Sequence, residues 1–155
     1  MTKWLNQNMA TLFDTRVYEN FRDRIEGLKP EAIREWGKMD VAQMLAHCNI
    51  PIEQALGKIQ LPSSSNLFFR TIVKWLVLAR KPFGKNLPTV PGFEQSDPKD
   101  FEREKTRLLQ NLREFHQRGR HAEWAIHSGF GKLKAEEWSW LTEKHLDHHL
   151  RQFAA

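Results

Sequence analysis

Three of the chain's seven histidines fall within five positions: His145, His148 and His149. His145 and His149 are one helical step of four apart. On a helix that step turns the direction of view by only about 40°, so both imidazoles point the same way, one turn apart. Two imidazoles so placed form the half-site with which one helix holds a divalent metal ion. His148 lies about 100° around the helix from His149 and reads as a surface or inter-helix hydrogen-bonding residue. Two ligands are not a site. A third must come from elsewhere, and other elements must bring it in.

Five amphipathic segments are available. Val17, Tyr18, Phe21, Ile25 and Leu28 recur at spacings of three and four, behind Asp14 or Thr15 as N-cap, and Pro30 stops this first helix. Residues 1–13 precede it as an N-terminal arm that packs loosely. A second helix opens at Asp40, which with Gln43 forms a capping box, and presents Val41, Met44, Leu45, Cys48 and Ile52. His47 sits at the edge of that face. Pro51, four residues on, cannot bond the His47 carbonyl, so a kink or a freed carbonyl is expected there. A third helix is predicted over 66–80, burying Leu67, Phe68, Ile72, Trp75, Leu76 and Leu78 with Arg70, Lys74, Arg80 and Lys81 at its edges. That pattern suits a core or dimer face, with an interfacial basic helix as the other reading. A long loop, 81–96, leads to Asp97-Pro98, read as N-cap and first helical residue of a fourth helix carrying Phe101, Leu108, Leu109, Leu112 and Phe115. After a second loop, 120–133, the last helix runs from about 135 to 153. Trp138, Leu141, His145, His149 and Gln152 share its core-facing stripe.

The totals limit what such a chain can be. Its 155 residues suit one domain, 1–155, and 40% apolar residues suit a packed core. A net charge of +5 is spread among mixed acidic and basic positions, so no basic stripe marks a specific nucleic-acid surface. A lone cysteine, Cys48, excludes an internal disulfide and fits a reducing, cytoplasmic setting. The opening residues carry no apolar signal core, and no stretch approaches the roughly 20 apolar residues of a transmembrane segment. With neither strand alternation nor a glycine-rich phosphate loop, the expected fold is an all-α bundle of four or five helices.

In a bundle, facing helix axes lie about 8–10 Å apart, so inward imidazoles from two helices can meet. His47 on the second helix and His145 and His149 on the last are such a set. Three neutral histidines with an open fourth position suit Zn, Ni or Fe. The other reading is three hydrogen-bonded core histidines with no metal, in a non-catalytic bundle that acts as an interaction or stress-response module. Around the set, Gln152 is placed to orient His149 or touch substrate, and His127 is either a loop group over the site or a structural turn residue. Trp36 is placed to line a pocket. Cys48 points away from His47 and reads as a small buried residue. His116 and His121 read as solvent-facing.

Trp36-Gly37-Lys38-Met39, Ala42-Gln43-Met44-Leu45-Ala46-His47-Cys48, Pro88-Thr89, Phe130-Gly131-Lys132-Leu133, Glu137-Trp138 and the closing run His145 to Phe153 together resemble a branch of the DinB/YfiT-like superfamily of four-helix-bundle metalloproteins. The similarity spans about Phe13 to Phe153. It implies a DinB-like four-helix bundle with an extra short helix and long loops, and a three-histidine site of His47, His145 and His149. It also implies a divalent metal cofactor. Relatives so implied include thiol-dependent transferases and isomerases that act with a low-molecular-weight thiol on small electrophiles, often as homodimers. Ser128 and Lys134 depart from the branch's usual Pro after the loop histidine and Ser or Thr before the last helix. Neither touches the three ligand positions.

Overall fold

The computed structural model describes residues 10–63, 66, 69–79, 81–85 and 93–155. Its helices are α1 (Thr15–Gly27), α2 (Val41–Ala55), α3 (Lys74–Leu78, entered through a π-helical turn at Phe69–Val73), α4 (Phe101–Arg118) and α5 (Ala135–Gln152). Among the described residues there is no strand, only one isolated bridge between His127 and Gly131. The all-α reading therefore holds. α1 and α2 each pack against both α4 and α5, so the four long helices close into a ring around one core. Trp138, Phe115, Ile25, Met44, Leu45, Ile52, Leu108 and Leu112 fill it and are fully buried. These are the residues that the three- and four-residue spacings select.

α2 is the element that carries the site inward. Its start is the expected capping box: the Asp40 carboxylate accepts from Gln43 N at 2.8 Å and Gln43 Oε1 accepts from Asp40 N at 3.0 Å. The helix then runs unbroken through Pro51 to Ala55. Pro51 has no N–H, so the His47 carbonyl loses its partner one turn on.

Four expectations fail. The third segment is helical from Phe69 to Leu78, but as a π turn followed by only five α-helical residues, and Ile72, Trp75 and Leu76 are 51%, 71% and 55% exposed rather than buried. The π-helical turn bonds i to i+5 instead of i+4, so the spacing that would align these residues with Leu78 slips. α3 packs Val77 and Leu78 against the core and is tied down through its backbone: Trp140 Nε1 donates to the Leu78 carbonyl, and Lys144 Nζ to those of Val77 and Ala79. Leu67, Phe68, Pro88-Thr89 and most of the arm lie outside the described residues, as do the side chains of Arg70 and Arg80.

The second failure is the start of α4. The N-cap is Asp100, which accepts from Arg103 N at 2.8 Å, and not Asp97. The Asp97 carbonyl, which would have to begin the helix, accepts from Gln43 Nε2 instead. The third is His116. Its ring stacks on Tyr18 at 4.5 Å and its Nδ1 bonds the Leu12 carbonyl at 2.7 Å, so it does not face solvent. The fourth is the arm: Leu12 itself is fully buried, with its N–H shared between Ser139 Oγ and Glu143, so the end of the arm is docked rather than loose.

A polar ladder crosses the α2–α4 interface. Asn111 Nδ2 donates to Asn49 Oδ1 (2.8 Å) and Glu53 Oε1 (3.0 Å), Lys58 Nζ donates to Asn111 Oδ1 (2.8 Å), and Arg107 grips both Glu53 oxygens at 2.6 Å. Sequence patterning gives no sign of it, because each residue taken singly looks like a surface position.

Candidate metal centre

The bundle brings His47 from α2 against His145 and His149 from α5. One nitrogen from each lies within 4.8 Å of the others, so the set could hold a metal ion. The ring centroids are 4.6–4.8 Å apart. His47 and His149 are buried and His145 is half-buried. The Nε2 atoms of His47 and His145 are 2.9 Å apart. Tetrahedral Zn–N bonds of about 2.0–2.1 Å place ligand nitrogens about 3.4 Å from each other, inside the range the triad spans.

The outer nitrogens matter as much. His47 Nδ1 lies 2.8 Å from the Phe93 carbonyl oxygen. A carbonyl only accepts, so Nδ1 carries the hydrogen and the neutral ring keeps its lone pair on Nε2, toward the triad. His149 is fixed by a longer route. Gln152 Nε2 donates to the Trp36 carbonyl at 2.7 Å, which turns Oε1 toward His149 Nδ1 at 3.0 Å. An amide oxygen also only accepts, so His149 too carries its hydrogen on Nδ1 and presents Nε2 inward. Ring N–H groups tied to carbonyl oxygens are the usual outer support of metal-binding histidines. The donor set and its support therefore fit a divalent ion.

Electrostatics favour the neutral, ligating form. Burial holds all three imidazoles below the ordinary histidine range, against the Phe93 bond at His47 and the Gln152 bond at His149. His149 is pushed down to about 3, with the His47 charge adding to burial. His145 lies well below its ordinary value, through burial first and then the neighbouring His149 and His47.

The remaining candidates fall in different places. Gln152 is buried and joined to His149. Trp36 takes part through its carbonyl, while its ring meets the edge of His148 at 5.8 Å and carries Lys85 Nζ on its face at 4.5 Å. His127 is not brought into the triad. Its Nδ1 accepts from Gly129 N and Phe130 N at 3.0 Å, and its ring stacks on Phe130, which makes it the pin of a tight turn. His148 touches the rings of Trp36, Phe83 and His149. Cys48 is fully buried, and burial pushes its thiol far up, so it is no nucleophile. Phe93 has no counterpart in the sequence reading. Its contribution is a backbone oxygen, which residue type does not announce.

The fold and the site thus define an all-helical bundle with a largely buried three-histidine cluster that could hold a metal ion. The chain belongs to the family described as "Protein of unknown function (DUF1569)", whose model matches residues 12–155. No curated protein and no solved structure matches the chain. Among the described residues, no helix is long and apolar enough to cross a membrane.

Proposed function

We propose that this is a divalent-metal protein of DinB-like type, with Zn, Ni or Fe held by His47, His145 and His149. We further propose that it uses the site as a thiol-dependent transferase or isomerase on small electrophiles. The observation that carries the metal reading is the pair of carbonyl-pinned Nδ1 atoms. Two independent supports, Phe93 and Gln152, leave lone pairs aimed at one point shared with His145. Three buried cations would repel, and three unsupported core histidines would not need matching tautomers.

When bound, a divalent ion supplies the positive charge that keeps a low-molecular-weight thiol in its nucleophilic thiolate form. The chain's own residues do the rest. His47, His145 and His149 stay neutral and rigid, while Phe93 and Gln152 hold two ring protons away from the ligand atoms. The Phe93 ring packs edge-on against His47, and the rings of Trp36 and Phe83 pack against His148, the neighbour of His149. Cys48 takes no part, which leaves the thiol to come from a co-substrate.

The resemblance behind this reading also implies a homodimer. Ile72, Trp75 and Leu76, exposed side by side on the π turn and α3, offer an apolar face of the kind an isologous contact buries. The enzymatic reading is tested by incubating metal-loaded protein with glutathione, bacillithiol or mycothiol and a panel of electrophiles. Turnover that is lost in His47→Ala supports it. Stoichiometric metal without turnover under any thiol leaves a metal protein and removes the transferase.

A further inference from the structure

The connector between α1 and α2 runs along the end of α5, and it is stitched there twice. Glu35 N donates to the Gln152 carbonyl at 2.8 Å, and Gln152 Nε2 donates to the Trp36 carbonyl at 2.7 Å. Gly37 follows at once, with φ +83°, in the left-handed region that side-chain-bearing residues rarely adopt. A Cβ built on Gly37 would overlap Gln152 Nε2 and stand 3.6 Å from its Cδ. The missing side chain therefore has a definite beneficiary. It leaves room for the one amide that orients His149.

We propose that Gly37 is a positioning residue of the metal site, acting through Gln152 on His149. This rests on the metal reading of the triad, but its first consequence does not require a metal. With any Cβ at position 37, the Gln152 amide must move. It then gives up the Trp36 carbonyl, and nothing fixes which end of the amide faces His149. The oxygen no longer holds the hydrogen on Nδ1, and the ring is free to turn its N–H toward the triad. A ligand that must first shift its tautomer binds metal less well. Gly37 lies 115 positions from Gln152 in the sequence, too far for any local pattern to join them, yet the fold places them in contact.

The experiment uses the full chain as wild type, Gly37→Ala, Gly37→Asn, Gln152→Ala and the double variant Gly37→Ala/Gln152→Ala. Asn tolerates positive φ better than Ala, so it keeps the backbone while still adding the Cβ. Two quantities are read: the tautomer of His149 by ¹⁵N-resolved imidazole NMR without metal, and the affinity for Zn²⁺ by competition with a chromogenic chelator. Wild type is expected to show His149 protonated at Nδ1. Both Gly37 variants and Gln152→Ala are expected to show a mixture of tautomers and about 10–100-fold weaker Zn²⁺ binding. The double variant should be no weaker than Gln152→Ala alone, since both changes remove the same support.

Effects that multiply in the double variant overturn the proposal, as does an unchanged His149 tautomer in the Gly37 variants. If both Gly37 variants fail to fold while Gln152→Ala folds, Gly37 serves folding and the proposal is likewise overturned. Should wild type bind no Zn²⁺, the metal reading fails, and the tautomer measurement alone still decides whether Gly37 acts through Gln152.

Discussion

His47 and His145, 98 positions apart, bring their Nε2 atoms to 2.9 Å. Because the Phe93 carbonyl holds the His47 hydrogen on Nδ1, His47 Nε2 is the acceptor and His145 Nε2 must be the donor. Without metal, then, His145 alone points a hydrogen into the triad. NMR of the metal-free protein is expected to find His47 and His149 protonated at Nδ1 and His145 at Nε2, with His145 switching nitrogen when Zn²⁺ is added. A metal-free spectrum with His47 protonated at Nε2 would contradict the assignment.

His127 sets part of the acid sensitivity of the fold. Burial, with Lys74 nearby, lowers it from its ordinary 6.5 to about 4. The unfolded chain therefore binds this proton more readily than the native one. The stabilisation is complete above pH 6.5 and disappears as the pH falls toward 4, amounting to at most about 3 kcal/mol. Urea midpoints of wild type and His127→Asn at pH 7 and pH 4.5 check this. The variant should lose less on acidification, because it no longer carries this proton-linked difference. An equal loss in both proteins would place the acid sensitivity elsewhere.

The ladder between α2 and α4 makes Asn111 hard to replace. It donates to Asn49 and Glu53 and accepts from Lys58, at 2% exposure. Asn111→Ala leaves the buried Asn49 Oδ1 without its donor, while Glu53 keeps Arg107 and Lys58 keeps Glu114, and is expected to cost about 1–3 kcal/mol in denaturant unfolding. A cost below about 0.5 kcal/mol, the usual scale of a surface change, would mean that the ladder stabilises little.

The apolar face of α3 makes the opposite forecast for stability. Trp75 is 71% exposed, so Trp75→Ser should change unfolding of the protomer by no more than about 0.5 kcal/mol. In sedimentation velocity, wild type should run as a dimer and Trp75→Ser as a monomer at the same concentration. Wild type sedimenting as a monomer at high micromolar concentration would remove this face as a self-contact.

Much of this was legible in the chain, for definite reasons. Helical period marks the His145–His149 pair and the core residues Phe115, Leu112, Met44 and Trp138, while His47 joins the pair only through the packing of facing helices and the family resemblance. The capping box at Asp40 is written in residue types. Other features are not. The oxygens of Phe93 and Trp36 that steady two of the ligands belong to the backbone, and any residue could supply them. Asp97 and Asp100 are equally good caps by type, and only Gln43 holding the Asp97 carbonyl separates them. The apolar spacing over Ile72, Trp75 and Leu76 says that a face exists, but period says nothing about what covers it. His116 sits among charged residues, and its partner is the carbonyl of a segment whose docking no pattern indicated.

Metal uptake decides whether His47, His145 and His149 form a metal site. Untagged protein, never exposed to chelator, would be titrated with Zn²⁺ beside His145→Ala, with circular dichroism to show that both are folded. The geometry predicts stoichiometric binding by wild type and an affinity lower by at least about 100-fold when His145 is removed, a loss no smaller than that of an outer-support residue. Equal, weak uptake by the two folded proteins would contradict it, and His47, His145 and His149 would then be a hydrogen-bonded core cluster.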